Sequence, residues 1–472
     1  MTHVLVVGGG ITGLAAAYRL SQRDDRPQVT LVEGGERLGG KLRTERVDGF
    51  VVDAGPEALA PGRPNAAKLV QELGLDMVGA ADGPPGAVLV KGRMRLMPEG
   101  IGGFIPRKMR PLATTRLFSP KGKLRMAFEP LVPVRRDDDD ESLESFTTRR
   151  LGREAYRRLV EPVASGIFCG DPARLSLLAT MPHLRNAETT HGGLVRAVLA
   201  ERKAASQKKS GARPTMQSPR DGMAALVEAL AERLEEAGVD VRVSTSLQSL
   251  ASDSDGYVAV LSGPDGRREL RVDSVILAVP TAVAAKALDD VGAAEPATTL
   301  RAMEVASTAT VSLGYAGTAM PDLDALLPAH GYLVAEPGRG SVRSVTRSSA
   351  KFPDRAPTGH ELFRVVVRTD DDASDDASDD ELARLAREEL RIRLGIEVEP
   401  TVQVVQRWTR VMPQYAVGHL KRVAEVEQQL SAWPGLALAG SGTHGLGIPD
   451  CVASAERAVE TVLAASPTRA AS

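Results

Sequence analysis

Near its start the chain runs Val4-Leu5-Val6-Val7-Gly8-Gly9-Gly10-Ile11-Thr12-Gly13, followed by Leu14-Ala15-Ala16-Ala17. An uninterrupted run of mostly branched apolar residues predicts a short buried strand. The spacing of Leu14, Ala17 and Leu20 predicts a helix from 14 to 23 with one core-facing stripe. Between them lies the pattern Gly8-x-Gly10-x-x-Gly13. Its first glycine permits a tight turn, the second lets a pyrophosphate approach the backbone, and the third lets helix and strand pack closely. Helix amides at that N-terminus then face negative charge. Val29-Thr30-Leu31-Val32 reads as a second strand ending at Glu33, whose carboxylate can accept ribose hydroxyls. Such a glycine pattern by itself also fits an ordinary turn. Flanked by strand, helix and acid, it points to a dinucleotide, with a flavin or a nicotinamide form both open.

The same α/β grammar recurs further along. Gly222 to Ala237 reads as a helix, Val239, Val241 and Val243 as a strand, and Val275-Ile276-Leu277-Ala278-Val279 as a buried strand stopped by Pro280. A hairpin is expected from 257–261 to 269–272 across Gly263-Pro264-Asp265-Gly266. Near the end, Leu436-Ala437-Leu438-Ala439 precedes a glycine-rich turn and a helix from 451 to 464, with Pro449 at its first turn. Helices are also expected over 65–73, 142–160, 188–204 and 381–394, and polar surface loops over 203–214 and 370–381.

Length and composition bound the rest. The 472 residues suggest two or three domains, and 43% hydrophobic content is enough for a sizeable core. A net charge of −2 argues against a nucleic-acid coat. The two cysteines, Cys169 and Cys451, exclude a disulfide scaffold and a four-cysteine zinc site, and no metal site is expected. Neither a signal peptide nor an apolar run of about 18 residues is present, so a cytoplasmic location is expected. Charge is unevenly spread. Residues 101–136 hold nine Lys or Arg against the single acid Glu129, and 185–213 is also basic, through Arg185, Arg196, Arg202, Lys203, Lys208, Lys209 and Arg213. Such a region could attract a polyanionic substrate or rest peripherally on an anionic membrane; a solubilising surface is the plainer alternative.

Further glycine turns extend the nucleotide reading. Glu36-Arg37-Leu38-Gly39-Gly40-Lys41 offers a second backbone approach to phosphates beside basic side chains, or merely a surface turn. Asp53-Ala54-Gly55-Pro56 makes another tight turn, and 438–450 (Leu-Ala-Gly-Ser-Gly-Thr-His-Gly-Leu-Gly-Ile-Pro-Asp) supplies a third glycine-rich segment at a helix start. Amides there could stabilise negative charge.

Taken together, the segments Val6-Val7-Gly8-Gly9-Gly10-Ile11-Thr12-Gly13, Val32-Glu33, Arg37-Leu38-Gly39-Gly40, and Asp53-Ala54-Gly55-Pro56 resemble the FAD-dependent amine oxidase superfamily. Within it, three more features resemble the oxygen-dependent protoporphyrinogen/coproporphyrinogen III oxidase family of haem synthesis. These are 166–176 (Gly-Ile-Phe-Cys-Gly-Asp-Pro-Ala-Arg-Leu-Ser), Asp221-Gly222-Met223, and Met412-Pro413-Gln414-Tyr415-x-x-Gly418-His419. The coproporphyrin-forming branch is the nearest, because the insert is basic and no membrane-anchoring segment is seen.

The resemblance implies a Rossmann-like FAD domain in three pieces (1–70, 222–284 and 432–472). It also implies an α+β substrate domain (71–100, 213–221 and 285–431) and a helical insert (101–212). It carries FAD contacts onto Gly8, Gly9, Gly10, Ile11, Thr12 and Gly13, onto Glu33, Gly34, Arg37, Gly39, Gly40 and Lys41, and onto Gly55, Pro56, Glu57 and Ala58. Leu247, Trp408, Gly440, Ser441, Leu446, Gly447 and Ile448 complete the set. The arginine that relatives often carry shortly after the Gly-Pro turn is missing from Glu57-Ala58-Leu59-Ala60; the nearest is Arg63. With aromatics at only 3%, a tetrapyrrole pocket would have aliphatic walls, with Phe168, Tyr332 and Phe352 as candidate exceptions.

The implied activity is six-electron oxidation of a porphyrinogen, with hydride passing to flavin N5, oxygen as acceptor and hydrogen peroxide as by-product. The cofactor carries that chemistry, so no catalytic side chain is nominated, and His419 and His444 are read as structural. Rival readings are protoporphyrinogen as substrate, another flavoenzyme of the fold such as an amine oxidase or carotenoid desaturase, or a non-catalytic escort-like protein. Oligomeric state is not legible.

Overall fold

The computed structural model describes residues 2–60, 64–84, 86–99, 101–102, 105–106, 109–205, 216–317, 320–335, 342–369 and 377–465. Strand His3–Val7 lies at the middle of a five-stranded sheet in the order Asp240–Arg242, Gln28–Val32, His3–Val7, Ser274–Leu277, Leu436–Leu438. Every neighbouring pair is parallel, and Val6 stands opposite both Leu31 and Ile276. A strand covered on both faces needs no polar alternation, which is why the run 4–7 is apolar throughout.

One face is covered by helices Ile11–Ser21, Ala224–Glu236 and Ile448–Ala465. Ala15, Ala16 and Ala17 are fully buried there, small enough to let the first helix lie close to its neighbours. Behind the other face sit a three-stranded antiparallel sheet (Ser246–Asp253, Gly256–Gly263, Gly266–Val272) and helices Thr281–Asp290, Ala294–Arg301 and His419–Leu430. The expected hairpin is present, closing at Gly263 opposite Gly266. The helices 294–301 and 419–430 lie inside the stretch 285–431, yet their buried side chains join the core behind the parallel sheet.

A second, seven-stranded mixed sheet runs Val402–Pro413, Val305–Ala316, His360–Arg368, Val342–Arg347, Gly331–Val334, Ala87–Val90, Arg93–Leu96. Helix Asp379–Leu394, started by a Ser378–Glu381 capping box, buries Leu382, Ala386 and Leu390 against it. This is the Rossmann-like parallel sheet with an α+β second domain that the resemblance implied.

The insert is helical, but its helices break where the sequence reading had them continuous. The span 142–160 divides into Leu143–Arg150 and a helix that restarts after Gly152 and continues to Phe168. The span 188–204 divides into Pro182–His191 and Leu194–Ala205. At the second break Gly192 and Gly193 take φ of +77° and +152°. A Cβ on Gly193 would lie 2.1 Å from the Arg150 guanidinium and 2.8 Å from the Glu129 carboxylate. That carboxylate also accepts the Leu194 and Val195 amides at 2.8 and 3.1 Å, capping the next helix. The acid that caps the start of the second helix is therefore 65 positions away, beyond any local pattern. Most of 203–214 and of 370–381 lies outside the described residues.

Candidate cofactor and active site

Three loops meet beyond the carboxyl ends of the parallel strands, where open α/β sheets bind ligands. The first is the glycine turn. A Cβ on Gly13 would fall 1.8 Å from the Gly8 carbonyl oxygen, and one on Gly8, at φ +107°, would fall 2.4 Å from the Ala278 oxygen. These two glycines are required by packing. Gly10 is different: nothing lies within 4 Å of where its Cβ would be. Ile11, Thr12 and Gly13 are buried behind it as the first residues of the helix. The turn thus has one open face, directly over a helix N-terminus.

The second loop follows Val32. Each Glu33 oxygen accepts one amide at 2.7 Å, from Gly9 and Gly35. A carboxylate has further lone pairs, so hydroxyls can still be accepted. Gly34 beside it is exposed. The Gly39-Gly40 turn docks onto the first: Gly39 N–H donates to Gly9 O at 2.7 Å, and Gly10 and Gly39 form a parallel bridge. Arg37 is exposed, and its guanidinium donates to the Leu38, Leu42 and Gly40 carbonyls at 3.1, 3.2 and 2.7 Å. It braces this turn.

Lys41 reaches inward. Its ammonium donates to Val411 O at 2.9 Å and to Ser441 Oγ at 3.1 Å, joining the second loop to strand 402–413 and to the third loop. Among the described residues it has no carboxylate partner, and burial lowers its pKa. A Cβ on Gly55 would fall 1.9 Å from the Lys41 carbonyl oxygen, so the 53–58 turn lies directly against it. Trp408 holds this turn by donating to Ala54 O at 3.0 Å, joined by Thr310 Oγ1 at 2.5 Å. Arg364 donates to Gly55 O at 2.8 Å. Pro56 and Ala58 are half-buried around the buried Glu57. Glu57 accepts Lys351 Nζ at 2.5 Å and Ser348 Oγ at 3.1 Å. Burial alone would raise its pKa, but Lys351 and Arg364 outweigh it and hold the carboxyl down at about 2. The sequence reading did not anticipate Lys351 or Arg364, whose strand gives no local sign of its partner.

The third loop is 440–447. Gly440 is buried and its amide donates to Ser454 Oγ at 3.1 Å. Leu446 packs against the insert core, Gly447 is exposed, and Ile448 begins the last helix with Pro449 buried in its first turn. Leu247 opens the three-stranded sheet, half-buried.

The substrate-side candidates fare differently. Arg63 lies outside the described residues. Phe168 is 6% exposed, enclosed in the insert core, and only its carbonyl faces the site's neighbourhood, accepting Gln414 at 2.9 Å. Tyr332 and Phe352 are also core residues, the former donating to Glu389 at 2.9 Å. Phe168 and Tyr332 fill packed apolar clusters, and Phe352 is fully buried with the Lys351 and Arg355 cations over its ring, so none of the three is exposed. The basic insert is partly self-neutralised as well: Arg185 pairs with Glu141 at 2.9 Å and Glu188 at 3.3 Å, and Arg125 donates to the Arg149 and Arg150 carbonyls. Both histidines have structural partners, His419 on Thr443 O at 2.8 Å and His444 on Glu427 at 2.6 Å.

The open backbone at Gly10, the hydroxyl acceptor at Glu33 and the buried amino group of Lys41, with no carboxylate against it among the described residues, fit an anionic dinucleotide laid across the three loops. Comparison with known proteins narrows that group. The family of flavin-containing amine oxidoreductases matches residues 11–463. A coproporphyrinogen III oxidase of Propionibacterium freudenreichii is 36% identical over 99% of this chain and 92% of its own length. A protoporphyrinogen oxidase of Macaca fascicularis is 31% identical over 98% of this chain and 99% of its own. Among solved structures, a candidate protoporphyrinogen oxidase from Exiguobacterium superposes with a TM-score of 0.84 at 29% identity, covering 98% of both chains. The chain belongs to the flavin-containing amine oxidoreductase family and is related there to the protoporphyrinogen and coproporphyrinogen oxidases.

Proposed function

We propose that the chain is an FAD-dependent oxidase that converts coproporphyrinogen III to coproporphyrin III in haem biosynthesis. Six electrons pass to three molecules of oxygen, giving three of hydrogen peroxide. The observation that carries this reading is the end-to-end likeness to a coproporphyrinogen III oxidase at 36% identity. FAD, when bound, supplies the two-electron acceptor that no side chain here offers. The polypeptide's part is placement and electrostatics. The Gly10 face admits the phosphates, Glu33 takes ribose hydroxyls, and the Lys41 amino group ties the three loops together through Val411 O and Ser441 Oγ. Trp408, Arg364 and the Glu57–Lys351 pair keep the 53–58 turn fixed. The tetra-anionic substrate is drawn by cations that the insert leaves exposed, Arg110, Arg116, Lys121 and Arg196 among them.

A second reading, protoporphyrinogen IX as substrate, is favoured by the 31% likeness to the macaque enzyme. Purified FAD-loaded protein given each porphyrinogen separately decides between them. The proposal expects a higher kcat/KM for coproporphyrinogen, and three peroxides per porphyrin; preference for protoporphyrinogen transfers the assignment, and turnover of neither defeats both. We place the protein in the cytoplasm. Among the described residues no helix is long and apolar enough to cross a membrane. Exposed Leu124, Phe128 and Leu131 beside Lys121 supply a face for peripheral contact, to be tested by co-sedimentation with anionic vesicles. No binding there would remove that part of the proposal.

A further inference from the structure

The 440–447 loop contains Gly440, Gly442, Gly445 and Gly447, and a chain so rich in glycine has little preference for one shape. Its shape is set by side chains outside it. The Tyr415 hydroxyl donates to Ser441 O at 2.5 Å and accepts the Gly445 amide at 2.9 Å. His419 Nε2 lies 2.8 Å from Thr443 O. A carbonyl only accepts, so Nε2 carries the proton. Burial holds the His419 pKa below its ordinary value, which keeps the ring neutral. The two rings stack at 4.2 Å with 20° between their planes, and both are about 1–2% exposed. Backbone groups at 441, 443 and 445 are thus gripped from one side by a single rigid pair.

The same segment also grips the insert. Gln414 Nε2 donates to Phe168 O at 2.9 Å, and its Oε1 occupies the space a Cβ on Gly170 would need, 1.5 Å away. Tyr415 O accepts the Ser176 amide at 2.7 Å, and the Gly418 amide donates to Asp140 at 2.8 Å. The two sequence motifs, 166–176 and 412–419, are each other's partners.

We infer that 414–419 is a two-ended strap: Tyr415 and His419 are positioning residues that fix the cofactor-facing loop, while Gln414 independently fixes the insert turn at 168–170. What the loop faces rests on the flavin reading; that the loop is held this way does not.

The test uses the full chain with FAD as the probe. Tyr415→Phe and His419→Leu are expected to weaken FAD binding roughly three- to tenfold, the factor for losing one or two buried hydrogen bonds. They should also alter the visible circular dichroism of the bound flavin. His419→Gln, which restores a donor near Nε2, should recover most of the affinity. Gln414→Ala should leave the FAD Kd and the flavin spectrum at wild-type values. Wild-type affinity and spectrum in both Tyr415→Phe and His419→Leu would overturn the strap, and an equal loss in Gln414→Ala would overturn its two-ended character. If His419→Leu does not fold, Tyr415→Phe, which removes one oxygen, carries the test. If the wild type takes up no FAD, the flavin reading fails instead, and the strap is judged by hydrogen exchange. The Gly445 amide should exchange faster in Tyr415→Phe than in wild type; equal rates would refute the strap.

Discussion

Two places in this molecule take many polar groups out of water, and they do so in opposite ways. In the insert, Arg150 pairs with Glu129 and with Glu188, Arg149 bridges Glu141 and Glu188, and Arg185 contacts both of those acids. Arg150, Glu129 and Glu188 are fully buried, and every charge in this set has an opposite charge against it. At the candidate cofactor site, among the described residues, Lys41 has no acid partner, Glu33 accepts only backbone amides, and Gly10 looks onto open space. A polar cluster that closes on itself is architecture. One that stays open on a single face is waiting for a partner with charges of its own.

Substitutions can break that contrast in order of effect. Arg150→Met leaves the Glu129 carboxylate buried without its cation, a loss of about 3–5 kcal/mol. Urea unfolding should show it directly, while any folded fraction still binds FAD normally. Gly13→Ala drives a Cβ into the Gly8 carbonyl, and we expect a loss of about 1–3 kcal/mol together with loss of FAD binding.

Glu57→Gln removes a carboxylate whose folded pKa is depressed. A depressed carboxyl stabilises the protein fully above its unfolded pKa of 4.5, and that stability is lost as pH falls toward about 2. The variant should therefore be less stable by on the order of 1–3 kcal/mol at pH 7, and the difference should shrink across that window. A constant difference from pH 7 to pH 3 would contradict the assignment.

Gly10→Ala sharpens the comparison most. Its Cβ meets nothing, so stability should change by no more than the ordinary Gly-to-Ala effect of about 1 kcal/mol. FAD affinity should nevertheless fall at least about tenfold, because the methyl fills the phosphate approach. Unchanged affinity, read by fluorescence titration, would remove the phosphates from that face.

The elements that could be read ahead of the structure share one property: their partners are close in sequence or implied by their own pattern. Gly8 to Gly13 announces a turn between strand and helix, Glu33 ends the next strand, and the 263–266 turn closes a hairpin on itself. The insert's broken helices were not legible, because Gly193 is dictated by Arg150 and Glu129. Arg37, expected at the cofactor from its place beside the Gly39-Gly40 turn, also holds three carbonyls of that turn, which its local sequence did not announce. Phe168, Tyr332 and Phe352 looked like pocket walls, since composition cannot tell a ring in a cleft from one in a core.

Sequence alone determined the parallel nucleotide-binding core, the glycine positions at its mouth and the family likeness, because strand pattern, turn chemistry and helix starts are short-range properties. Tertiary structure alone decided which of those polar residues face an opening and which are spent on each other. It also paired the motifs at 166–176 and 412–419, whose contacts join residues about 250 positions apart. Contacts at that separation are set by how whole domains pack, and no local run of residues records them.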